Sequence, residues 1–255
     1  MRGRYKDASP EKAGGATYTP KALSDFVAAQ IVDALRAPPS RALRILDPAV
    51  GDAQLLVSLV EALAHRVQVE VIGFDTDPIA LVNARERLVN VFPDVAARFE
   101  RESFPEYVLK HFSQPTLFDA SDAGYDLIIA NPPYVRTQLL GAASARLLAE
   151  QFELQGRVDL YFPFLLGICR ALAPGGVAGV IVSNRFMTTR SGASVRARLR
   201  EECAVRHVWD LGDTRLFEVA VLPAVLLLSK DAPSASPPRF TSIYKTEAPS
   251  LLTDC

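Results

Sequence analysis

Three short apolar runs in this chain each stop at an acidic or amide residue and pass at once into a turn: "ILD" before "PAVGDA", "VIGFD" before "TDP", and "LIIAN" before "PPYVR". Short runs of branched apolar residues bounded by turn residues fit strands covered on both faces, the environment of a parallel sheet. Between and after them, "AQLLVSLVEALA" and "DPIALVNARERLVN" space their apolar residues as helices do. Strand, helix and strand repeated in this order imply right-handed crossovers. The pattern predicts an α/β fold with a mostly parallel sheet and helices on both faces. In such a sheet the strands present their carboxyl ends along one edge, where nucleotide-type ligands are received.

The remaining segments extend this plan. "TPKALSDFVAAQIVDALR" predicts a leading helix, with Pro20 near its start and Leu23, Phe26, Val27, Ile31 and Leu35 on one face. A short strand is expected near Phe99 and a helix over "LYFPFLLGICRAL" despite Pro163. "APGG" then reads as a turn, "VAGVIVS" as a strand, and "GASVRARLREEC" as a charged surface helix. "VRHVWDLG" and "AVLPAVLLLS" complete a set of seven strands as an antiparallel pair. The organisation expected is a flexible leader over 1–13, one catalytic domain over 14–229, and a Pro/Ser-rich linker or tail over 230–255.

Composition narrows the classes. With 49% hydrophobic and 22% charged residues the chain has an ordinary globular make-up. A net charge of −1 gives no overall pull toward nucleic acid, so any basic surface is local. The run over 219–229 is too short to span a bilayer and contains Pro223, and the polar start lacks a signal-peptide core; a cytoplasmic protein is expected. Three scattered cysteines, Cys169, Cys203 and Cys255, form no CxxC pair and suggest neither a disulfide framework nor a metal site.

The strand ends carry the chemistry. Asp47, followed by small residues and Gly51 before a helix, suits a nucleotide-type ligand, though a tight strand-to-helix turn would look the same. Asp75, at the next strand end, suits paired ribose hydroxyls, because one carboxylate accepts from both. Asp77 reads as the cap of the following helix, with Pro78 at its first position. In "NPPY" neither proline has an N–H and each fixes its own φ, so the loop offers acceptors without competing donors. The Asn131 side-chain oxygen and the Pro132 carbonyl could hold both hydrogens of a planar exocyclic amine and draw its lone pair out of conjugation. Tyr134 offers a face on which an extruded base stacks.

Taken together, "GATYTP", "ILDPAVGDA", "GFDTDP", "NPPYVR", "DLYFPF" and "DLGDTRLFEVAVLPAVLLL", in this order over about residues 14–229, resemble the S-adenosyl-L-methionine-dependent adenine-N6 DNA methyltransferases of restriction–modification and phage-defence systems. The resemblance implies a Rossmann-like class I methyltransferase domain with a mostly parallel seven-stranded sheet and an antiparallel last strand. It implies that Tyr18, Thr19 and Pro20 contact the methionine end of S-adenosyl-L-methionine, and that Asp47, Ala49 and Gly51 line its pocket. Asp75 would bind ribose, with Thr76 beside adenine and Phe164 packed nearby. Asn131, Pro132 and Tyr134 would act on a flipped adenine of double-stranded DNA, with Phe217 holding the base opposite Tyr134. Ala53 stands where the family often has a second glycine, and its methyl adds little bulk. Glu102 stands where an aspartate binding the cofactor's adenine is usual, and it could equally be a solvated charge.

A direct methyl transfer needs alignment and polarisation rather than a metal or histidine base, and His65, His111 and His207 lie off these loops. Arg136, Arg185 and Arg190 are candidate DNA contacts; Arg196, Arg198 and Arg200 equally suit a solvated helix face. Too few residues follow Ser229 for a separate target-recognition domain, so recognition is expected from a longer chain or a partner. Two other readings stand beside this one. The same loop serves glutamine-N5 protein or RNA base methyltransferases, and a chain lacking its recognition half could be a non-catalytic cofactor- or DNA-binding subunit.

Overall fold

The computed structural model describes residues 19–36, 40–64, 67–112, 124–134, 142–154, 159–189, 192–212, 222–231 and 237–243, with the side chains of 142–145 left out. Eight strands are described: β1 (Leu43–Asp47), β2 (Val69–Asp75), β3 (Ala96–Arg101), β4 (Tyr125–Ala130), β5 (Leu172–Ser183), β6 (Ala204–Asp210), β7 (Pro223–Ser229) and β8 (Arg239–Ser242). The helices described among them are α1 (Lys21–Ala34), α2 (Gln54–Ala62), α3 (Pro78–Val91), α4 (Phe104–His111), α5 (Ala142–Gln151), α6 (Tyr161–Ala171), the short α7 (Arg185–Thr188) and α8 (Gly192–Glu202).

One sheet runs in the order β3-β2-β1-β4-β5-β7-β6-β8. All neighbouring pairs are parallel except those of β7, which is antiparallel to β5 and to β6. The chain winds outward from β1 to β3, returns to place β4 on the other flank of β1, and winds outward again. The strand order therefore reverses between β1 and β4, and such reversals open a crevice at the carboxyl ends of the strands. The parallel register sets Ile45 against Leu127 and Asp47 against Gly73, so the strand ends flanking this crevice come together.

Each face of the sheet carries its own core. Ile45, Leu127, Ile129 and Ile181 pack with Val27 and Ile31 of α1, Leu56 and Leu59 of α2, and Leu88 of α3. Leu46, Ile128, Ala130 and Val180 point the other way, to Phe104 of α4, Leu165 and Ile168 of α6, and Leu199 of α8. Alternation along each strand separates these sets, because successive side chains leave opposite faces. The predicted apolar face of α1 is present: Leu23, Val27 and Ile31 are buried, and Phe26 meets Trp209 edge-on at 5.4 Å.

Helix α1 reaches its position over β5 because residue 179 is glycine. A Cβ there would lie 2.6 Å from Val27 Cγ1 and 2.9 Å from the Ile31 side chain, both rigid and buried. Gly179→Val is expected to destabilise the protein by about 1–3 kcal/mol, the usual range for overpacking, read as a lowered urea midpoint.

The structure changes the sequence expectation in three places. The sheet has eight strands rather than seven, because β8, which lies in the stretch read as a linker or tail, pairs in parallel with β6 from His207↔Arg239 to Asp210↔Ser242. That strand has four residues and no buried face, so backbone pairing and one side-chain bond, between His207 Nε2 and the Thr241 hydroxyl at 2.9 Å, hold it and no apolar pattern marks it. "APGG" is not a free turn: β5 already begins at Leu172 and pairs with Tyr125 across an irregularity, with Gly176 so close to β4 that a Cβ would lie 2.8 Å from the Tyr125 carbonyl. Helices α4 and α5 occupy stretches whose pattern announces no helix.

Candidate active site

The end of β1 is closed by its own backbone. Asp47 is fully buried, and its Oδ1 accepts from the Ala49 N–H at 3.0 Å. Its Oδ2, equally buried, has no hydrogen-bond partner. Burial pushes this carboxyl up to about 8; the Ala49 N–H offsets that in part, and the nearby Asp75 and Asp52 carboxylates add to the rise.

The turn that follows needs two left-handed residues, Gly51 at φ 51° and Ala53 at φ 62°. Ala53 sits where the resemblance expects glycine, and the cost lies in backbone conformation rather than bulk: roughly 1–2 kcal/mol for a non-glycine residue in this region. Its methyl is fully buried, and about 0.8 kcal/mol per buried carbon offsets much of that cost.

Asp75 ties this turn to the next strand end. Its Oδ2 accepts from the Gly51 N–H at 3.1 Å and its Oδ1 from the Asp77 N–H at 2.9 Å. Each oxygen retains a second lone pair, so both remain able to accept from a ligand hydroxyl. Asp77 caps α3 as its sequence suggests, accepting from the Ile79 N–H at 2.9 Å with Pro78 at the first helical position. Thr76 is exposed on the same rim. Glu102, one residue beyond β3, forms an ion pair with Lys110 of α4. Its place at the strand edge is as expected, but a cation already occupies it.

Asn131 follows β4 directly and is held from both sides. Its Nδ2 donates to the Thr19 hydroxyl at 3.0 Å, and its Oδ1 accepts from the Tyr134 hydroxyl at 2.7 Å. Pro132 is buried, while Pro133 and Tyr134 are half-buried. Thr19 and Pro20 lead directly into α1, so the start of that helix braces the loop. Burial raises the Tyr134 hydroxyl well above the usual phenol range, aided by the neighbouring Tyr161, and it therefore stays a neutral donor.

Of the "DLYFPF" motif, the residue that meets the loop is Tyr161, at the start of α6, whose ring stands edge-on to Tyr134 at 6.0 Å. Phe164, the motif residue given a role from the sequence, is buried against Phe104 at 5.9 Å, and Phe104 packs on Phe74 of β2 at 5.8 Å. Phe164 thus supports the β2 end from below. Sequence reasoning missed the Thr19 to Asn131 bond and the position of Tyr161; each residue lies in a quoted motif, but nothing local ties them to the loop.

Arg185 is exposed at the first residue of α7, directly past β5. Tyr18, Arg136, Arg190 and Phe217 lie outside the described residues. Among the described residues, no group of three or more His, Cys, Asp or Glu side chains could hold a metal ion, and no helix is long and apolar enough to cross a membrane.

The sheet, its reversal between β1 and β4 and the loops placed there define a Rossmann-like class I methyltransferase fold. A profile of the Eco57I restriction-modification methylases matches residues 71–217, and the chain belongs to that family. Type II methyltransferase M.BanIII from Aneurinibacillus aneurinilyticus is 39% identical over 252 residues, covering 94% of this chain and 43% of that protein. Type II methyltransferase M.PaeR7I from Pseudomonas aeruginosa is 24% identical over 243 residues, covering 88% of this chain and 42% of its own length. The chain therefore spans less than half of these relatives. In structure it is similar to a protein of Listeria monocytogenes described as a class I S-adenosylmethionine-dependent methyltransferase (TM-score 0.69, 20% identity, 93% of this chain and 68% of that one). It is also similar to a type I restriction-modification system methyltransferase subunit from Streptococcus thermophilus (TM-score 0.64, 17% identity, 86% and 47%).

Proposed function

We propose that this chain is the catalytic part of an S-adenosyl-L-methionine-dependent DNA methyltransferase that modifies the N6 amine of a flipped adenine, as the modification component of a restriction–modification or phage-defence system. The observation that carries this reading is Asn131: a side-chain amide fixed by Thr19 at the carboxyl end of β4, beside the buried end of β1, followed by a Pro-Pro-Tyr loop. An amide oxygen and a proline carbonyl in that place suit an exocyclic amine, and Tyr134 suits a base face.

The neighbouring loops fit the cofactor. The orphaned Asp47 Oδ2 is a buried polar oxygen in want of a partner, the space beyond Gly51 is open, and Asp75 keeps lone pairs for ribose hydroxyls. Asp47, Ala49, Gly51, Asp75 and the Thr19–Pro20 segment would hold it, and when bound it supplies an electrophilic methyl on a cationic sulfonium. The chain's own work is then to orient the base, hold both amine hydrogens so that the nitrogen lone pair faces the methyl, and exclude water. The proton lost by the amine after transfer passes to solvent. Membership in the restriction-modification methylases supports DNA as substrate. We assign target recognition to protein beyond these 255 residues, in the same chain or in a partner, with Arg136, Arg185 and Arg190 as local phosphate contacts.

The test is transfer of labelled methyl from S-adenosyl-L-methionine to unmethylated double-stranded DNA, with RNA and protein offered in parallel and the modified nucleoside identified. N6-methyladenine is the expected product. Label in RNA or protein, or on cytosine, would replace this reading.

A further inference from the structure

Two buried side-chain oxygens at this edge of the sheet lack partners, and the cofactor reading accounts for only one of them, Asp47 Oδ2. The other is the hydroxyl of Tyr161, a residue only 2% exposed. A buried hydroxyl without a partner costs about 1–3 kcal/mol, so a residue retained in this state at a functional edge points to a partner that arrives with a ligand. The remaining orphans among the described residues, on Ser194, Arg198 and Ser229, lie on α8 and at the far end of β7.

The surroundings of Tyr161 say which ligand this is. Its ring packs edge-on to Tyr134, 6.0 Å between centroids, and so belongs to the wall of the Asn-Pro-Pro-Tyr loop. The residues assigned to the cofactor, Asp47, Gly51 and Asp75, stand on the β1 and β2 side of β4. Asp159, two residues before it, and Arg185 act electrostatically on the Tyr161 hydroxyl with opposite signs, and Arg185 stands past β5 on the opposite side. The hydroxyl therefore lies on the substrate flank of the loop. A base whose amine is held by Asn131 and Pro132 presents its neighbouring ring nitrogen, not its amine, to a second group in that wall. In adenine both ring nitrogens flanking the amine-bearing carbon region, N1 and N7, are acceptors, and they call for a donor. A tyrosine hydroxyl that burial keeps protonated supplies one.

We propose that Tyr161 is a specificity-determining residue of the transfer site, donating its hydroxyl hydrogen to a ring nitrogen of the flipped base. This rests on the methyltransferase reading above. Donated to N1, this hydrogen also gives the site a means of rejecting guanine and thymine, which carry an N–H donor at the ring position beside the corresponding exocyclic oxygen.

The experiment compares wild-type protein with Tyr161→Phe, which removes the hydroxyl and nothing else. Three quantities are read: the urea midpoint, the affinity for S-adenosylhomocysteine, and kcat/KM for methyl transfer to unmethylated double-stranded DNA. The expected result is an unchanged or higher midpoint, S-adenosylhomocysteine binding within twofold, and kcat/KM lower by about 10- to 100-fold, the worth of one lost base contact. A purely structural tyrosine would move the midpoint down instead. Unchanged kcat/KM overturns the proposal, as does weakened S-adenosylhomocysteine binding, which would place the hydroxyl against the cofactor. Wild-type protein that, supplied with the chain or partner carrying target recognition, still transfers no methyl to DNA removes both this proposal and the reading it rests on, whereas an active wild type with an unaffected variant removes this one alone.

Discussion

Asn131→Ala is expected to reduce methyl transfer by about 10²- to 10³-fold, the usual consequence of deleting one preorganised polar group at a reacting centre. On the proposed reading the substitution removes the acceptor for one amine hydrogen, and it also frees Thr19 and the Tyr134 hydroxyl, which Asn131 holds at 3.0 and 2.7 Å. Single-turnover rates with saturating S-adenosyl-L-methionine isolate the chemical step, and S-adenosylhomocysteine affinity should change by less than about tenfold if the loss lies in the transition state. Asn131→Asp retains an acceptor but not the N–H bonded to Thr19, and it should fall between alanine and wild type. A rate for the alanine variant within tenfold of wild type would remove Asn131 from the chemistry.

The second large effect concerns Asp47 and pH. An aspartate in an unfolded chain ionises near 3.9, whereas burial raises Asp47 in the folded protein to about 8. Between those values the folded state keeps a proton that the unfolded state has released, so stability falls as pH rises through this window and levels off above it. At 1.36 kcal/mol per unit, the loss is on the order of several kcal/mol. Asp47→Asn cannot ionise and keeps an oxygen for the Ala49 N–H. Urea midpoints of the ligand-free protein at pH 5 and pH 9 should therefore differ strongly in wild type and little in the variant. Parallel slopes for the two proteins would show that Asp47 is not the buried carboxyl responsible. The same variant should bind S-adenosylhomocysteine more weakly, since it loses the acidic oxygen that has no partner within the protein.

What could be read from the sequence follows from how far each interaction reaches along the chain. Strands β1, β2 and β4 are covered on both faces, and that burial leaves unbroken apolar runs ending in Asp47, Asp75 and Asn131. The Asp77 cap spans two residues and is equally visible. Strand β3, at the sheet edge, is only part-buried and carries a weaker signal, and β8 carries none. The bond from Asn131 to Thr19 joins residues 112 positions apart, and no local pattern encodes it. The bond from Gly51 to Asp75 and the approach of Tyr161 to Tyr134 are likewise products of strand order. Motif residues could thus be named singly, but their couplings had to be seen.

Strand β7 has a consequence for how such a chain is made. All seven of its residues are buried, and it lies between β5 and β6, bonded to both, although it follows both in sequence. During synthesis β5, the strand beneath α1 and beside β4, has an open apolar edge until Pro223–Ser229 have left the ribosome. Open edges of this kind invite pairing with other chains. The sheet cannot be completed strand by strand in chain order, because β7 lies between two strands that precede it. The seven residues over 223–229 thus close the sheet that carries the β4 and β5 ends, long after both of those strands have been made.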